Sequence, residues 1–499
     1  MILAQRPLPI ALPHTHGQAL YTAARTRDME QRAQAQRPAH ALMQRAGWAV
    51  ARLALAVCPH GQVFWIACGP GNNGGDGLQA AWHLHQWGKT VHVTSVAEPD
   101  QWPADAAQAW RQLQDAGVSL SPHAPAHWDG AVDALLGLGG QRPVEGRMAE
   151  WLVQMAHASA PVVHVDVPSG LDADTGVWRG PLMDGPAPRH TLALLTLKPG
   201  LFTGDGRDVC GALWFDDLGV TPDLPPDAVL AAPMGAAARA HNSHKGHYGD
   251  VAAVGGASGM TGAVLLAAMA ALRSGAGRVM VCPLDEAALP AMAAQHPSLM
   301  VRPWAALPVR ELHAVCGCGG GDTVRAALPA LLSTARSLVL DADALNALQD
   351  PSLMQLLRQR TRRGLPTVLT PHPLEAARLL ACSAQDVQAD RLRAARELVA
   401  HTGAVVVLKG SGTVIADRSH TPVINTTGNA LLASGGTGDV LAGMVAGLLA
   451  QGMTAFDAAV TAVQRHGLAA NLWPQALAFD AWTLTQRLGQ VLSRDGASC

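Results

Sequence analysis

Between residues 62 and 215, short apolar runs alternate with longer stretches in which apolar residues recur every three or four positions. The runs QVFWIAC (62–68), VHVTSVA (91–97), AVDALLGLG (131–139), PVVHVDV (161–167) and HTLALLTL (190–197) read as buried strands. Segments 77–87 and 104–115 carry helical spacing, and 26–57 reads as one or two amphipathic helices. Strands that alternate with helices predict βαβ units, a parallel sheet and a three-layer sandwich.

The pattern breaks at 219–233, where VTPDLPPDAVLAAP gathers prolines without periodicity, the composition of a linker. A second alternation follows, with strand-then-turn units at 250–256, 277–283, 314–320, 337–343, 366–372 and 404–410 and an apolar helix at 438–449. The halves share no clear repeat, so the expectation is two different α/β domains, 1–222 and 228–499.

Composition narrows the function classes. The chain has 499 residues, 49% hydrophobic and 15% charged, enough to fill large cores, which excludes a disordered adaptor. Its 36 Lys and Arg nearly cancel 38 Asp and Glu, so neither nucleic acid nor a membrane is an expected partner. Eight cysteines, at 58, 68, 210, 282, 316, 318, 382 and 499, form no CxxC pair, which fits a reducing cytoplasmic setting. The first 17 residues read poorly as a signal peptide. The longest uncharged apolar runs, 263–272 and 440–450, are about half of what a bilayer span needs. Small molecules are the expected partners, and a homo-oligomer the expected assembly.

Chemistry in the first half gathers at strand ends. The strand ending at Cys68 runs into Gly69-Pro70-Gly71-Asn72-Asn73-Gly74-Gly75-Asp76-Gly77. Its GxGxxG spacing suggests a dinucleotide turn, but Asn72, Asn73 and Asp76 add amides and a carboxylate that a plain pyrophosphate turn does not use. A capped turn accounts for one Asn-Gly pair; nine residues this polar point to a ligand. Asp133, Asp166 and Ser169 lie at two further strand ends and can converge on the same crevice. Amide, carboxylate and hydroxyl oxygens with so few charges suit a hard monovalent cation.

The motifs GPGNNGGDG, VDALLGLG (132–139), DVPSGLDADTG (166–176) and LKPGL (197–201) resemble the NAD(P)H-hydrate epimerase family, also called the YjeF N-terminal domain, over roughly residues 20–220. The resemblance implies a Rossmann-like sandwich that interconverts R and S forms of nicotinamide rings hydrated at C6. It implies substrate contacts at Asn72, Asn73, Gly74, Gly75 and Asp76, at the loop Gly137, Leu138, Gly139, Gly140, Gln141, Arg142 and Pro143, and at Asp166. It also implies a potassium ion at Asn73, Asp133 and Ser169. The family often has Glu where this chain has Gln44. Losing and regaining the C6 oxygen through a cationic or ring-opened intermediate scrambles the stereocentre, and Asp166 is the candidate acid/base.

In the second half, Gly435-Gly436-Thr437-Gly438-Asp439 opens an apolar helix, so free backbone N–H groups sit at its positive end, a site for a transferring phosphoryl group. Asp439 in the first turn can cap the helix or take a proton from an attacking hydroxyl, and the long glycine approach favours catalysis. The strand-end sequence Lys409-Gly410-Ser411-Gly412-Thr413 can line a nucleotide but is no P-loop. Asp341 and Asp343 close a strand and can bind magnesium directly or through water, although a cap explains one of them equally well. His372, between two prolines at a strand end, is a candidate substrate contact. His241, His244 and His247 lack a nearby fourth ligand, which disfavours zinc.

Residues 231–492, through HKGHYG (244–249), GGASGMTGA (255–263), LDADALN (340–346), TPHPLEAARLL (370–380), LKGSGT (408–413) and NTTGNALLASGGTGDVLAGMVAGLLAQG (425–452), resemble the NAD(P)H-hydrate dehydratase family, with a ribokinase-like fold. The resemblance implies substrate contacts at Ala263, Gly319 or Gly321, His372 and Asp439, and a nucleotide at Lys409 to Thr413 and Gly438. Cys318 stands where the family usually has Pro, and Ser298 where it usually has Glu. Fused bacterial members use ADP, so ADP is the expected cosubstrate: Asp439 deprotonates the C6 hydroxyl, the oxygen takes the phosphoryl group, and the ring nitrogen expels phosphate. The competing expectations are a ribokinase-like small-molecule kinase fused to a nucleotide-binding domain and a non-enzymatic nucleotide sensor.

Overall fold

Along the strand Val63–Cys68, Phe64, Ile66 and Cys68 enter one apolar cluster while Trp65 and Ala67 enter another. The first cluster joins Leu53 of the helix Ala41–Val57, Leu78 of Asn72–Gln86 and Leu113 of Ala104–Asp115; the second joins Leu152 and Met155 of Gly146–His157. Burial on both faces is why the strand reads as an unbroken apolar run, and it makes this part the expected three-layer sandwich. The structure, a computed structural model, describes residues 10–11, 17–139, 142–232 and 239–494. It divides into two compact units, Met1–Val229 and Leu230–Cys499.

The first unit's sheet runs in the order Ile10–Ala11, Ala212–Asp216, Arg189–Leu194, Val162–Val165, Gly130–Ala134, Val63–Cys68, Thr90–Ser95, Leu120–Ser121. Every neighbouring pair is parallel except the edge pair Ile10–Ala11 and Ala212–Asp216. After Val63–Cys68 the chain builds outward to Leu120–Ser121, then returns to Gly130–Ala134 on the other side. That reversal opens a crevice beyond the carboxyl ends of the two central strands, where ligands bind in such sheets.

The second unit repeats the device with different strands. Nine strands lie wholly within it, in the order Met300–Val301, Arg278–Pro283, Asp250–Gly255, His313–Cys316, Ser337–Leu340, Thr367–Leu369, Val405–Leu408, Val414–Ala416, Val423–Ile424. The first seven are parallel and the last two antiparallel. Here the reversal falls between Asp250–Gly255 and His313–Cys316. Mixed α/β with parallel sheets is thus the class of both halves.

Two boundaries differ from the sequence reading. The apolar runs overshoot the strands: 131–139 is strand only to Ala134, and 314–320, 337–343, 366–372 and 404–410 stop at Cys316, Leu340, Leu369 and Leu408. The overshoot is the loop at each sheet's carboxyl edge. Residues 223–229, expected as linker, belong to the first unit. Asp227 accepts hydrogen bonds from Thr22 N and Oγ1 (2.9 and 3.0 Å) and pairs with Arg25 (3.2 Å), and Ala228 and Val229 pair antiparallel with Leu20 and Ala19. Their partners lie about two hundred positions upstream, beyond any local pattern.

In the second unit the helices Thr261–Arg273 and Thr437–Ala450 approach through glycine. A Cβ on Gly443 would stand 2.1 Å from Ala267 O, whereas a Cβ on Gly262 would meet nothing within 4 Å. Gly443→Ala should therefore destabilise this unit by about 1–3 kcal/mol through overpacking. Gly262→Ala should be neutral or stabilise it by up to about 1 kcal/mol through helix propensity. Urea unfolding of the two variants checks the contrast, and equal effects would contradict the close approach.

Candidate active sites

A cavity of about 340 Å³ occupies the first crevice. Asn72, Asn73, Asp76, Gly137, Leu138, Gly139 and Asp166 of the expected set line it. Gly74 and Gly75 do not, and their visible role is packing. The polar stretch is not a loop: the helix Asn72–Gln86 starts inside it, and a Cβ on Gly74 would lie 2.2 Å from Gly69 O, one on Gly75 2.4 Å from Met43 Cε. Arg142 and Pro143 are exposed and away from the cavity lining. Gly140 and Gln141 lie outside the described residues.

Asp166 is held on a backbone with φ +66°, the left-handed region that costs a non-glycine residue about 1–2 kcal/mol. Its Oδ1 accepts from Leu194 N (3.0 Å) and from Lys198 Nζ, which also donates to Leu194 O (2.7 Å). Lys198 is fully buried, and it comes from the LKPGL motif without having been singled out. Behind Asp166, the buried Asp133 accepts from Ser169 Oγ (2.6 Å) and Leu135 N (3.2 Å) at one oxygen and contacts His164 Nδ1 (2.8 Å) and Ser169 N (3.0 Å) at the other. Burial raises the pKa of Asp133, but His164 and Ser169 outweigh it and hold the carboxyl below its usual range. Asn73 Nδ2 donates to Leu136 O (3.0 Å), and Ser169 Oγ lies 2.8 Å from Leu136 N. Asn73, Asp133 and Ser169 therefore join one network, as the sequence suggested.

The helix Ala23–Ala35 was read only as amphipathic, yet it walls the cavity with Thr26, Arg27, Glu30 and Gln34. Thr26 Oγ1 meets Thr196 Oγ1 at 2.7 Å, and Arg27 donates to Leu138 O at 2.8 Å, so the helix is tied to the strand-end loops. Burial raises the pKa of Asp76 well above the carboxylate range, and Glu30, Asp166 and Asp105 add to the shift. Gln44 is absent from the lining, so this departure from the family pattern does not touch the cavity.

The second site grows from Asp341. Its Oδ1 takes Lys409 Nζ at 2.6 Å and Thr370 Oγ1 at 2.9 Å, and the following Ala342 adopts φ +47°. Ligand atoms of Cys318, Asp341 and Asp439 lie within 4.8 Å of one another. The Cys318 thiol hydrogen-bonds Asp439, and a Cβ on Gly438 would lie 3.3 Å from Lys409 Nζ. Gly319 packs against Met260 and Ala263, and Gly321 N donates to Asp343 Oδ2 at 2.8 Å. Lys409 Nζ also lies 4.0 Å from Glu375 Oε2, which accepts from His372 N at 2.8 Å. A chain of contacts thus joins Ala263, Gly319, Asp439, Gly438, Lys409 and His372.

Burial, then Asp341, push Asp439 up to about 7, while Cys318 and Lys409 oppose. Burial works against the charge on Lys409, but Asp341 and Glu375 more than offset it and raise its pKa. His372 Nδ1 caps the helix Pro373–Leu380, accepting from Leu374 N and Glu375 N (3.1 and 3.3 Å), and burial with Lys409 lowers its pKa. Between Val405–Leu408 and Val414–Ala416, the turn from Lys409 to Thr413 uses Gly410 at φ +142° and Gly412 at φ +65°. Arg391 supports it from behind, donating to Leu408 O and Lys409 O (3.0 and 3.2 Å). His244, one of the three spaced histidines, caps its own turn by accepting from Gly246 N at 3.1 Å. Ser298 is exposed. No helix among the described residues is long and apolar enough to cross a membrane.

Residues 39–200 match the family model described as YjeF-related protein N-terminus, and residues 251–494 match NAD(P)H-hydrate dehydratase. A bifunctional NAD(P)H-hydrate repair enzyme of Escherichia coli K12 is 35% identical over 86% of this chain and 84% of its own length. The chain belongs to the bifunctional NAD(P)H-hydrate repair enzyme family. A relative of the same name from Vibrio cholerae is 36% identical over 93% of this chain and 94% of its own. A Bacillus subtilis structure named as an ADP/ATP-dependent NAD(P)H-hydrate dehydratase, co-crystallised with ATP/Mg2+, is 32% identical over 53% of this chain and 95% of that chain, with a TM-score of 0.46. The first match covers Asn72 to Lys198 but begins after Glu30; the second covers Asp439 and all its neighbours.

The raised pKa of Asp439 is also a statement about stability. Its carboxyl costs nothing below the unfolded-state pKa, and the cost grows as pH rises through about 7. Asp439→Asn should therefore raise the melting temperature of the second unit at about pH 8 and leave it unchanged at about pH 4. A melting point at about pH 8 no higher than that of the wild type would contradict the buried-carboxyl account.

Proposed function

We propose that the first unit epimerises the R and S hydrates of NADH and NADPH (NADHX and NADPHX), and that the second dehydrates the S hydrate at the expense of ADP, giving AMP and phosphate. The observation that carries the second half is Asp439: a carboxyl with a pKa of about 7, at the glycine-rich start of a helix and near the half-buried Lys409. Such a group accepts a proton near neutrality while helix N–H groups and Lys409 face developing phosphoryl charge.

The steps follow from the substrate's bonds. Asp439 takes the C6 hydroxyl proton, and that oxygen attacks the β-phosphoryl of ADP so that AMP leaves. The N1 lone pair then expels phosphate, loss of a C5 proton forms the C5–C6 double bond, and the dihydronicotinamide returns. The turn Lys409 to Thr413 with Gly438 is the proposed nucleotide cradle, and Ala263, Gly319, Gly321 and His372 the proposed substrate contacts. Magnesium fits as an ion carried on the nucleotide's phosphates better than as a direct ligand of Asp341, whose Oδ1 already holds Lys409 and Thr370.

In the first unit, Asn73, Asp133 and Ser169 with Leu136 O are all oxygen donors with a single carboxylate, a set that fits potassium. The ion would fix the loop after Ala134, and Asp166, aimed into the cavity by Lys198 and Leu194, is the proposed acid/base. Losing a buried partner typically costs about 3–5 kcal/mol, so Lys198→Met should destabilise the first unit by a similar amount.

An R/S mixture of hydrated NADH, followed by recovery of dihydronicotinamide absorbance with ADP, ATP or no nucleotide, tests the reading. ADP should serve best, and Asp439→Asn should keep ADP binding but lose about 100- to 10,000-fold in rate. A stable phosphorylated product would indicate a small-molecule kinase instead. A 230–499 fragment should consume only the S hydrate, and potassium should affect epimerisation alone. A 1–229 fragment should be more stable than 1–222, because it keeps the Asp227 contacts with Thr22 and the Ala228 and Val229 pairing.

A further inference from the structure

We propose that Glu30 is a second acid–base residue of the first cavity, working across it from Asp166. The inference rests on the epimerase reading of that cavity. Asp166 enters from the carboxyl end of a strand, whereas Glu30 enters from the helix Ala23–Ala35, on a stripe with Thr26 and Gln34 four positions either side. The Thr26–Thr196 hydroxyl contact fixes that stripe against the segment between Leu194 and Lys198, which also holds Asp166.

The two carboxyls are furnished differently. Asp166 receives a lysine and a backbone N–H. The Glu30 side chain has no hydrogen bond or ion pair with any described residue. Burial raises its pKa, as do Asp166 and Asp105, while Lys198 and Arg27 lower it. Asp105 is itself paired with His40 at 2.6 Å. Asp76 faces Glu30, Asp166 and Asp105 and no cation, so nothing opposes the rise in its pKa. Glu30 also faces two cations, Lys198 and Arg27, which oppose the rise. One carboxylate and one carboxylic acid on one cavity are the pair that an inversion through water loss requires.

The step balances as follows. Glu30, protonated, gives its proton to the C6 hydroxyl as the C6–O bond breaks and water departs, with the N1 lone pair forming the C6–N1 double bond. Water adds to C6 from the opposite face, and its proton passes to Asp166. The enzyme is left with Glu30 ionised and Asp166 protonated, the form that inverts the other epimer. A proton exchanged with solvent resets it.

The test uses the full-length chain without ADP, pure S hydrate of NADH as substrate, and separation of R from S, with uncatalysed conversion subtracted. Glu30→Gln should lower kcat by about 100- to 10,000-fold with KM changed less than about threefold, and Glu30→Asp should restore part of the rate. Wild-type rate should fall on the alkaline side as Glu30 loses its proton, and the residual rate of Glu30→Gln should lack that limb. In water enriched in oxygen-18, each inversion should bring one solvent oxygen to C6. A normal kcat in Glu30→Gln, an unchanged alkaline limb, or inversion without solvent oxygen would overturn the proposal. Should Asp166→Asn also invert at the normal rate, the epimerase reading of the cavity itself fails.

Discussion

Each site depends on a lysine–aspartate pair at the carboxyl edge of a parallel sheet, fully buried at Lys198 and partly buried at Lys409. Two of the chain's four lysines serve this purpose: Lys198 holds Asp166, and Lys409 holds Asp341. Losing the partner of the fully buried Lys198 typically costs about 3–5 kcal/mol, and losing that of Lys409, whose side chain is 18% exposed, costs less. In return, each pair fixes one carboxyl at the carboxyl edge, one strand beyond the place where the strand order reverses.

That fixed negative charge sets the chemistry of the carboxyl next to it. Asp341, with burial, pushes Asp439 up to about 7, and Asp166, with burial, raises Glu30. In both units a lysine-held aspartate stands beside a carboxyl whose pKa is raised, in Asp439 to about 7. The surrounding glycines permit it: Gly438 lies against Lys409, and Gly137 against Asn73, where side chains would push the charged groups apart.

Much of this was legible along the chain. Unbroken apolar runs announced strands buried on both faces, and the polar residues just beyond them marked the crevice, because ligands in such sheets bind beyond strand ends. Asn73, Asp133, Asp166 and Ser169 stand out together, as oxygen groups at three strand ends, although each Asp alone reads equally well as a cap or turn residue. Strand ends were less legible, since the apolar character of the strand continues through 135–138 into a half-buried loop that lines the cavity.

Sequence by itself determined the two α/β units, the family and the carboxylates at the strand ends, because each is written in local periodicity or in a contiguous motif. Tertiary structure alone decided which carboxyls have their pKa raised. Glu30, in TRDMEQRAQ, looks like one charge on a solvated helix face, and only the folding of that helix over the strand ends puts it in the cavity with Asp166. Asp439 stands out in the sequence by its glycine-rich approach, but its burial and the approach of Asp341 from a strand about a hundred residues upstream, which together lift its pKa, appear only in the fold. The physical reason is that burial and charge–charge distance belong to the packed molecule, and no stretch of sequence contains them.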